Sequence, residues 1–440
     1  MYSTSDLLAL FHEHPAVSTD TRKIQAGDLY VALKGARFDG NQYAQNALET
    51  GASFAIVDDA SVIPENDDRY ILVENGLKAL QDLATAYRRE FDIPIIGITG
   101  SNGKTTTKEL MHAVLATEKK AYATAGNFNN HIGVPLTLLG MPRDTEIAII
   151  EMGANQPRDI AELSTIAEPT HGVITNIGHS HLERLGSIDG VQKVKGELPD
   201  FIRAHDGLFF QNAADERVVA TSQGIKQLVS FGTQDSDYWA EIEKHELTGM
   251  TLNIHAQSGE AFRVESQMSG SYNAHNMLAA AVIGLTMGIS VKGVQGGIAG
   301  YVPTNNRSQI IRKGEHVIWM DAYNANPSSM KAAIRHLFDV QPEGVALVLG
   351  DMFELGEESK ELHADLGKFI SAFTPVMTVG VGSEMHAMID QLSSPKRHYL
   401  DITEAAPTIW QDLASAKVIL IKGSRGMALE KVMELHPLNS

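Results

Sequence analysis

The sequence predicts an α/β protein of three domains built on largely parallel sheets. Three observations carry that expectation. Short apolar runs alternate with helix-period segments over most of the chain, one such run leads into a glycine-rich loop followed by a helix, and 440 residues exceed what one hydrophobic core supports. The expected divisions are residues 1–88, 89–303 and 304–440.

In chain order, the first division mixes strands at Asp28–Leu33 and Phe54–Val57 with a helix over Gly76–Arg89, and it contains no nucleotide loop. The second has strands at Ile95–Thr99, Glu146–Glu151 and Gly172–Asn176, each followed by a helical pattern. Two alternating segments, Thr251–His255 and Ala261–Glu265, flank Ser258-Gly259-Glu260 and predict a hairpin insertion. After Tyr301-Val-Pro-Thr304 a second α/β set begins, with strands at Val317–Met320, Val345–Gly350, Val376–Val381 and Val418–Ile421.

Composition excludes several function classes. Lys and Arg total 36 against 54 Asp and Glu, and the net charge of −18 argues against nucleic acid or an anionic membrane as the main partner. There is no cysteine, so disulfides, thiolate catalysis and Cys-ligated metals are ruled out. Met1 to Pro15 carries Asp6, His12, Glu13 and His14 and lacks the order of a signal peptide. With no apolar run of about 18 residues either, membrane insertion is not expected and a cytoplasmic location is.

The chemistry begins at Pro94-Ile-Ile-Gly-Ile-Thr-Gly-Ser-Asn-Gly-Lys-Thr-Thr-Thr107. Small residues after a strand let consecutive backbone N–H groups face an anion, a lysine supplies a point charge for the β and γ phosphates, and a hydroxyl can hold Mg²⁺. Gly100, Ser101, Asn102, Gly103, Lys104, Thr105 and Thr106 are therefore candidate ATP contacts, and Thr105 a metal ligand. Leu110, Met111, Val114 and Leu115 supply the helical spacing that must follow. Ile98 stands where the common pattern has glycine, so the loop is a shorter variant; a glycine-rich turn before a core helix is the alternative. Glu151 ends a strand where an open sheet would bring it to the phosphate loop, as a Mg²⁺ ligand. His181 follows another strand end and becomes a metal candidate beside that loop. Lys193 and Lys195, taken alone, read as a solvated helix face.

These words resemble the Mur ligase family, the ATP-dependent amino-acid and peptide ligases of peptidoglycan synthesis. The family's Thr-Gly-x-x-Gly-Lys-Thr-Thr matches Thr99 to Thr106, Glu-Met-Gly-Ala-Asn matches Glu151 to Asn155, and Thr175 to Gly178 with His181 to Glu183 and Gly186-Ser187 match a further stretch. The resemblance implies that Lys195, at the family spacing from His181, carries CO₂ as a carbamate that helps hold a second Mg²⁺. It assigns adenine-side contacts to Asn273 and Asn276, with Tyr272 replacing the usual histidine, a phosphate contact to Arg307 and a ribose contact to Asp321. Asp321-Ala-Tyr-Asn-Ala-Asn-Pro327 and Leu349-Gly-Asp-Met-Phe-Glu-Leu-Gly-Glu-Glu358 resemble the dipeptide-adding branch, which places Tyr323, Asn324 and Asn326 at the dipeptide. Lys422, Ser424 and Arg425 resemble a loop near the incoming substrate. Thr19, Asp20, Thr21, Arg22 and Asn41 resemble a uridine-nucleotide-binding domain.

By that resemblance the fold is a uridine-nucleotide-binding α/β domain, a central P-loop ATPase-like parallel-sheet domain and a C-terminal Rossmann-like domain. The implied reaction joins D-Ala-D-Ala to UDP-N-acetylmuramoyl-tripeptide through an acyl phosphate, with ATP, Mg²⁺ and a carbamate on Lys195, in a monomer. The alternatives are a relative that adds one amino acid, a folylpolyglutamate synthetase, and a nucleotide-binding regulator that does not ligate.

Overall fold

The computed structural model describes residues 1–180 and 182–436. The strands form three large sheets in chain order. The first has four parallel strands in the order Val17–Ser18, Leu29–Val31, Phe54–Val57, Tyr70–Leu72. The second has nine, in the order Ala261–Ser266, Gly249–Ala256, Tyr238–Glu246, Gln227–Phe231, Leu208–Asn212, His171–Ile174, Ile95–Thr99, Ile147–Glu151, Ala121–Ala123. The third has six, in the order Gln309–Lys313, His316–Asp321, Val418–Lys422, Val345–Gly350, Met377–Val381, Lys396–Tyr399.

The central strands of the second and third sheets pair in parallel and are covered on both faces, which is why they read as continuous apolar runs. Every residue of Ile95–Thr99 and of Val345–Gly350 is buried. The predicted hairpin is present, with Thr251 paired to Glu265 and His255 to Ala261. It is not a separate insertion. Together with Tyr238–Glu246 it continues the nine-stranded sheet as an antiparallel edge. Tyr238–Glu246 carries exposed charges at Glu241, Glu243 and Lys244, so it lacks the apolar alternation that reveals a strand.

The first two sheets share a core. Leu29, Val31 and Ile56 belong to the same buried cluster as Ile95, Ala148 and Ile150. The helix Gly76–Arg88 lies between them and is pinned by polar contacts to the central domain. The Tyr87 hydroxyl donates to the Met141 carbonyl at 2.8 Å, and the buried Arg88 guanidinium donates to the carbonyls of Ala167 and Glu168, each at 2.9 Å. The passage into the third sheet runs through Asn305, Asn306 and Ser308, all with positive φ, a tight, kinked connection that sets Arg307 between two sheets.

Candidate active site

Ile95–Thr99 lies between His171–Ile174 and Ile147–Glu151, so its carboxyl end opens where neighbouring strand ends converge. The loop that leaves it is held by the adjacent strand end. The Asn176 side chain accepts from the Asn102 N–H at 3.0 Å, and the Thr175 hydroxyl donates to the Asn102 carbonyl at 2.6 Å. Two glycines are obligatory here. A Cβ on Gly100 (φ +144°) would sit 2.0 Å from the Thr175 hydroxyl oxygen, and one on Gly103 (φ +78°) would sit 2.6 Å from Asn276 Oδ1. The helix Lys104–Leu115 then starts with no side-chain cap, which leaves its first N–H groups to an anion. Lys104 Nζ donates back to the Gly100 carbonyl at 2.6 Å. Burial lowers its pKa, Glu151 opposes that effect, and Arg307 adds to it; a bound phosphate would restore the cation.

Glu151 ends its strand almost fully buried. Its Oε1 accepts from the Thr105 hydroxyl at 3.1 Å and from Asn129 Nδ2 at 2.8 Å, while Oε2 has no hydrogen-bond partner. Lys108 Nζ lies 3.9 Å from Oε2 and donates to the Thr124 carbonyl at 2.7 Å; the Thr124 hydroxyl in turn accepts from the Glu151 N–H at 2.9 Å. Asn129, Lys108 and Thr124 thus fix the carboxylate, and sequence reasoning singled out none of them. A lysine one turn past Lys104 reads as solvated helix face; only the fold turns it inward.

Lys195 is 0% exposed at the end of the helix Ile188–Lys195, and its Nζ has no hydrogen-bond partner. Burial pushes its pKa well down, Lys104 pushes it further, and Asp159, Glu197 and Glu151 pull it back. His181 lies outside the described residues. Among the described residues no group of three His, Asp or Glu gathers in metal-binding geometry.

The third sheet closes the site. A cleft of about 740 Å³ is lined by Ser101 to Thr106, Glu151, Asn273 and Asn276 on one side and by Arg307, Asp321, Tyr323, Asn324, Lys422 and Arg425 on the other. The Arg307 guanidinium stacks 3.6 Å from the Tyr323 ring centroid. Asp321 accepts from the Ser308 N–H at 3.0 Å and from Lys422 Nζ, so its charge is already compensated. Asn273 and Asn276 are buried and bonded to each other at 2.8 Å. The Tyr272 hydroxyl reaches Ser308 Oγ at 3.2 Å, which ties the helix Asn273–Thr286 to the kinked connection.

Asn326 and Ser424 stand behind this wall. Asn326 caps the helix Pro327–Val340 and donates from Nδ2 to Asn102 Oδ1 at 2.7 Å. Ser424 Oγ accepts from the Phe353 N–H at 2.9 Å. None of the first 88 residues lines the cleft. There, Asp20 is a fork for the exposed Arg22, at 2.9 and 2.8 Å, and that pairing with the Arg22 N–H lowers the Asp20 pKa to about 2. Thr19 and Thr21 flank that fork, half-buried. Asn41 is buried and saturated by Asp39 and Asp58, an internal brace for its loop.

This architecture, three α/β domains with a phosphate loop facing cations of the last one, is that of an ATP-dependent ligase, and the chain belongs to the Mur ligase family. The Mur ligase family catalytic domain matches residues 15–88, the Mur ligase middle domain residues 98–284, and the Mur ligase glutamate ligase domain residues 306–425. Among curated proteins the chain is similar to the UDP-N-acetylmuramoyl-tripeptide–D-alanyl-D-alanine ligase of Bacillus subtilis, 37% identical across 95% of this chain and 92% of that one. Among solved structures it resembles MurF from Acinetobacter baumannii, with a TM-score of 0.87 and 30% identity over 95% and 92% of the two chains. MurF ligase from Thermotoga maritima in complex with ADP gives a TM-score of 0.87 at 27% identity, over 99% and 98%.

Proposed function

We propose that this chain joins D-Ala-D-Ala to UDP-N-acetylmuramoyl-tripeptide at the expense of ATP, releasing ADP and phosphate, in the cytoplasmic synthesis of peptidoglycan precursor. The observation that carries the reading is the cleft itself, in which a phosphate loop with Lys104 faces Arg307, Lys422 and Arg425 of another domain. A carboxylate is a poor electrophile, so amide formation needs it phosphorylated first. Positive groups converging on one pocket lower the barrier to that transfer by positioning and electrostatics. The resulting acyl phosphate is attacked by the dipeptide amine, and no covalent enzyme nucleophile is required.

The residues present fit Mg²⁺. Glu151 Oε2 is a buried carboxylate oxygen without a hydrogen-bond partner, on the carboxylate whose Oε1 the Thr105 hydroxyl meets; Thr105 and Glu151 would hold one ion, carbamylated Lys195 would help hold a second, and His181 is a further metal ligand. Bound there, Mg²⁺ offsets phosphate charge. The Lys195 amine has no hydrogen-bond partner and burial lowers its pKa, which favours the unprotonated form that adds CO₂ at nitrogen; the proton released as the carbamate forms passes to water, and this supports the modification. Residues Thr19 to Arg22 belong to the domain proposed to take the uridine nucleotide, and Tyr323 and Asn324 to the dipeptide end of the cleft.

Phosphate release should require UDP-tripeptide and D-Ala-D-Ala together; release with ATP alone, or with a single amino acid in place of the dipeptide, would contradict the proposal. Lys104→Ala should lower kcat by about 10²-fold or more, the scale expected for removing one preorganised charge from a transferring group, while the folded protein keeps its urea midpoint.

A further inference from the structure

The helix Lys104–Leu115 carries a second ammonium one turn past the phosphate loop. Lys108 is buried, and its Nζ lies 3.9 Å from Glu151 Oε2 and 4.0 Å from Glu109 Oε1. Both distances are too long for a hydrogen bond. Of the three N–H donors an ammonium has, one goes to the Thr124 carbonyl at 2.7 Å, so the charge stands between two carboxylates and is committed to neither. Glu109 is tied elsewhere as well, since its Oε2 accepts from the Tyr301 hydroxyl at 2.7 Å. Tyr301 caps the helix Val291–Gly300, which lies so close to Lys104–Leu115 that a Cβ on Gly297 would fall 2.5 Å from Val114 Cα. It also begins the connection that kinks at Asn305, Asn306 and Ser308 and brings Arg307 to the cleft. A line of polar contacts thus runs from the buried Glu151 to the passage between the second and third sheets.

We propose that Lys108 is a positioning residue shared by two carboxylates: when a divalent cation takes Glu151 Oε2, the Lys108 ammonium shifts to Glu109, and the Glu109–Tyr301 hydrogen bond passes that shift to the connection that holds Arg307. This rests on the ligase reading above and deepens it. An ion on Oε2 and an ammonium 3.9 Å from that oxygen repel one another, and both side chains are buried, so water screens the repulsion little. The flexible four-carbon stem of lysine can turn Nζ about its Thr124 contact, and the second carboxylate then offsets the displaced charge. No proton moves, and no bond is made to Lys108. Thr105 and Glu151 hold the ion; Lys108 governs how freely Glu151 can take it. A Glu109 that draws Lys108 toward Oε1 changes its hold on the Tyr301 hydroxyl. Occupancy of the metal site and the placing of Arg307 therefore bias each other, as linkage requires of two coupled sites.

The test reads binding and geometry in the full-length enzyme without turnover. The dissociation constant of an ATP analogue with an imido bridge between its β and γ phosphates is measured in EDTA and in saturating Mg²⁺, and the ratio is the gain in affinity that the ion confers. Glu109→Gln keeps an acceptor for Tyr301 and removes the charge; it should lower that gain about tenfold, within the usual range of coupling between sites. Lys108→Met should raise the gain, because the competitor of the ion is gone, and Glu109→Gln added to Lys108→Met should then change it by less than about twofold. Equal effects of Glu109→Gln with and without Lys108 would show that Glu109 acts only as a distant charge and would overturn the proposal. Tyr301→Phe removes one hydroxyl and keeps the ring, so it tests the other arm even where Lys108→Met fails to fold. Dyes on exposed positions of the central and C-terminal domains should report a change in separation when Mg²⁺ is added to the analogue-bound parent, and no such change in Tyr301→Phe. The same Mg²⁺-dependent change in both would sink the link to the connection. A parent that gains no affinity from Mg²⁺ would remove the ligase reading, and the proposal with it.

Discussion

The Lys195 amine is fully buried and ends without a hydrogen-bond partner, and an unsatisfied buried polar group costs about 1–3 kcal/mol. Burial lowers the folded pKa, so below the ordinary lysine range the folded chain binds fewer protons at this site than the unfolded chain, and the cost of burying the amine grows as pH falls from that range. Lys195→Met, which keeps the length and removes the nitrogen, should raise the unfolding free energy by about 1–2 kcal/mol in urea titrations run without CO₂ or Mg²⁺, while abolishing ligation. Lys195→Ala should be inactive and partly restored by acetate, whose carboxylate can take the oxygen position at the metal. A destabilised Lys195→Met, or no rescue by acetate, would mean that the nitrogen serves the fold. The family spacing from His181 pointed to Lys195, but its burial was not legible, because a Val194-Lys195 pair on a helix says nothing of what later packs over it. Lys108 and Asn129 escaped for the same reason: their partners, Thr124 and Glu151, are brought to them by a strand pairing remote in sequence.

Among elements, those buried on two faces or alternating regularly were legible, and half-exposed charged strands without that alternation were not. Ile95–Thr99, Val345–Gly350 and Val418–Lys422 announce themselves as unbroken apolar runs. Tyr238–Glu246, Gln309–Lys313 and Lys396–Tyr399 are half-exposed and charged, so pairing rather than composition makes them strands. The helix Pro327–Val340 shows an element with two functions at one end. Asn326 Oδ1 accepts from the Ser329 N–H at 2.9 Å as its cap, while Nδ2 holds Asn102 of the phosphate loop. Asn326→Asp keeps the acceptor and loses the donor. It should leave stability within about 0.5 kcal/mol, since Asp caps as well as Asn, yet raise KM for ATP several-fold because a carboxylate then faces the loop meant for phosphate. Asn326→Ala should lose both, including about 1 kcal/mol of cap. Equal ATP affinity in the Asp variant and the parent would show that the Asn102 contact is incidental. The loop's own glycines were readable from sequence; the inter-domain bond to it was not, since residues 102 and 326 meet only through tertiary packing.

At the scale of the molecule, the central and C-terminal domains are clasped by a histidine that must be neutral. His336 Nε2 accepts from the Gly270 N–H at 2.9 Å and contacts Ser269 Oγ at 2.6 Å, on the loop that leads to Asn273. Around it stand the ring of His245 at 4.2 Å and that of Trp319 at 5.2 Å, with Asp339 acting on His245. Burial, with His245 adding to it, pushes the His336 pKa down to about 3. When the domains separate, the ring regains water and the ordinary value near 6.5. The clasped form thus binds fewer protons. Its advantage is complete above pH about 6.5 and is lost as pH falls from there toward 3, at up to about 1.4 kcal/mol per unit. Between pH 7.5 and 5 the closed arrangement should weaken by about 2 kcal/mol, a range in which acid unfolding is avoidable and can be checked by near-ultraviolet circular dichroism. Dyes placed on exposed positions of the two domains should report a growing separation over that interval. In His336→Gln, whose amide oxygen still accepts from Gly270 but does not titrate, the separation should be flat with pH. If the variant opens with the same pH dependence as the parent, the proton is taken up elsewhere and His336 is a passive strut.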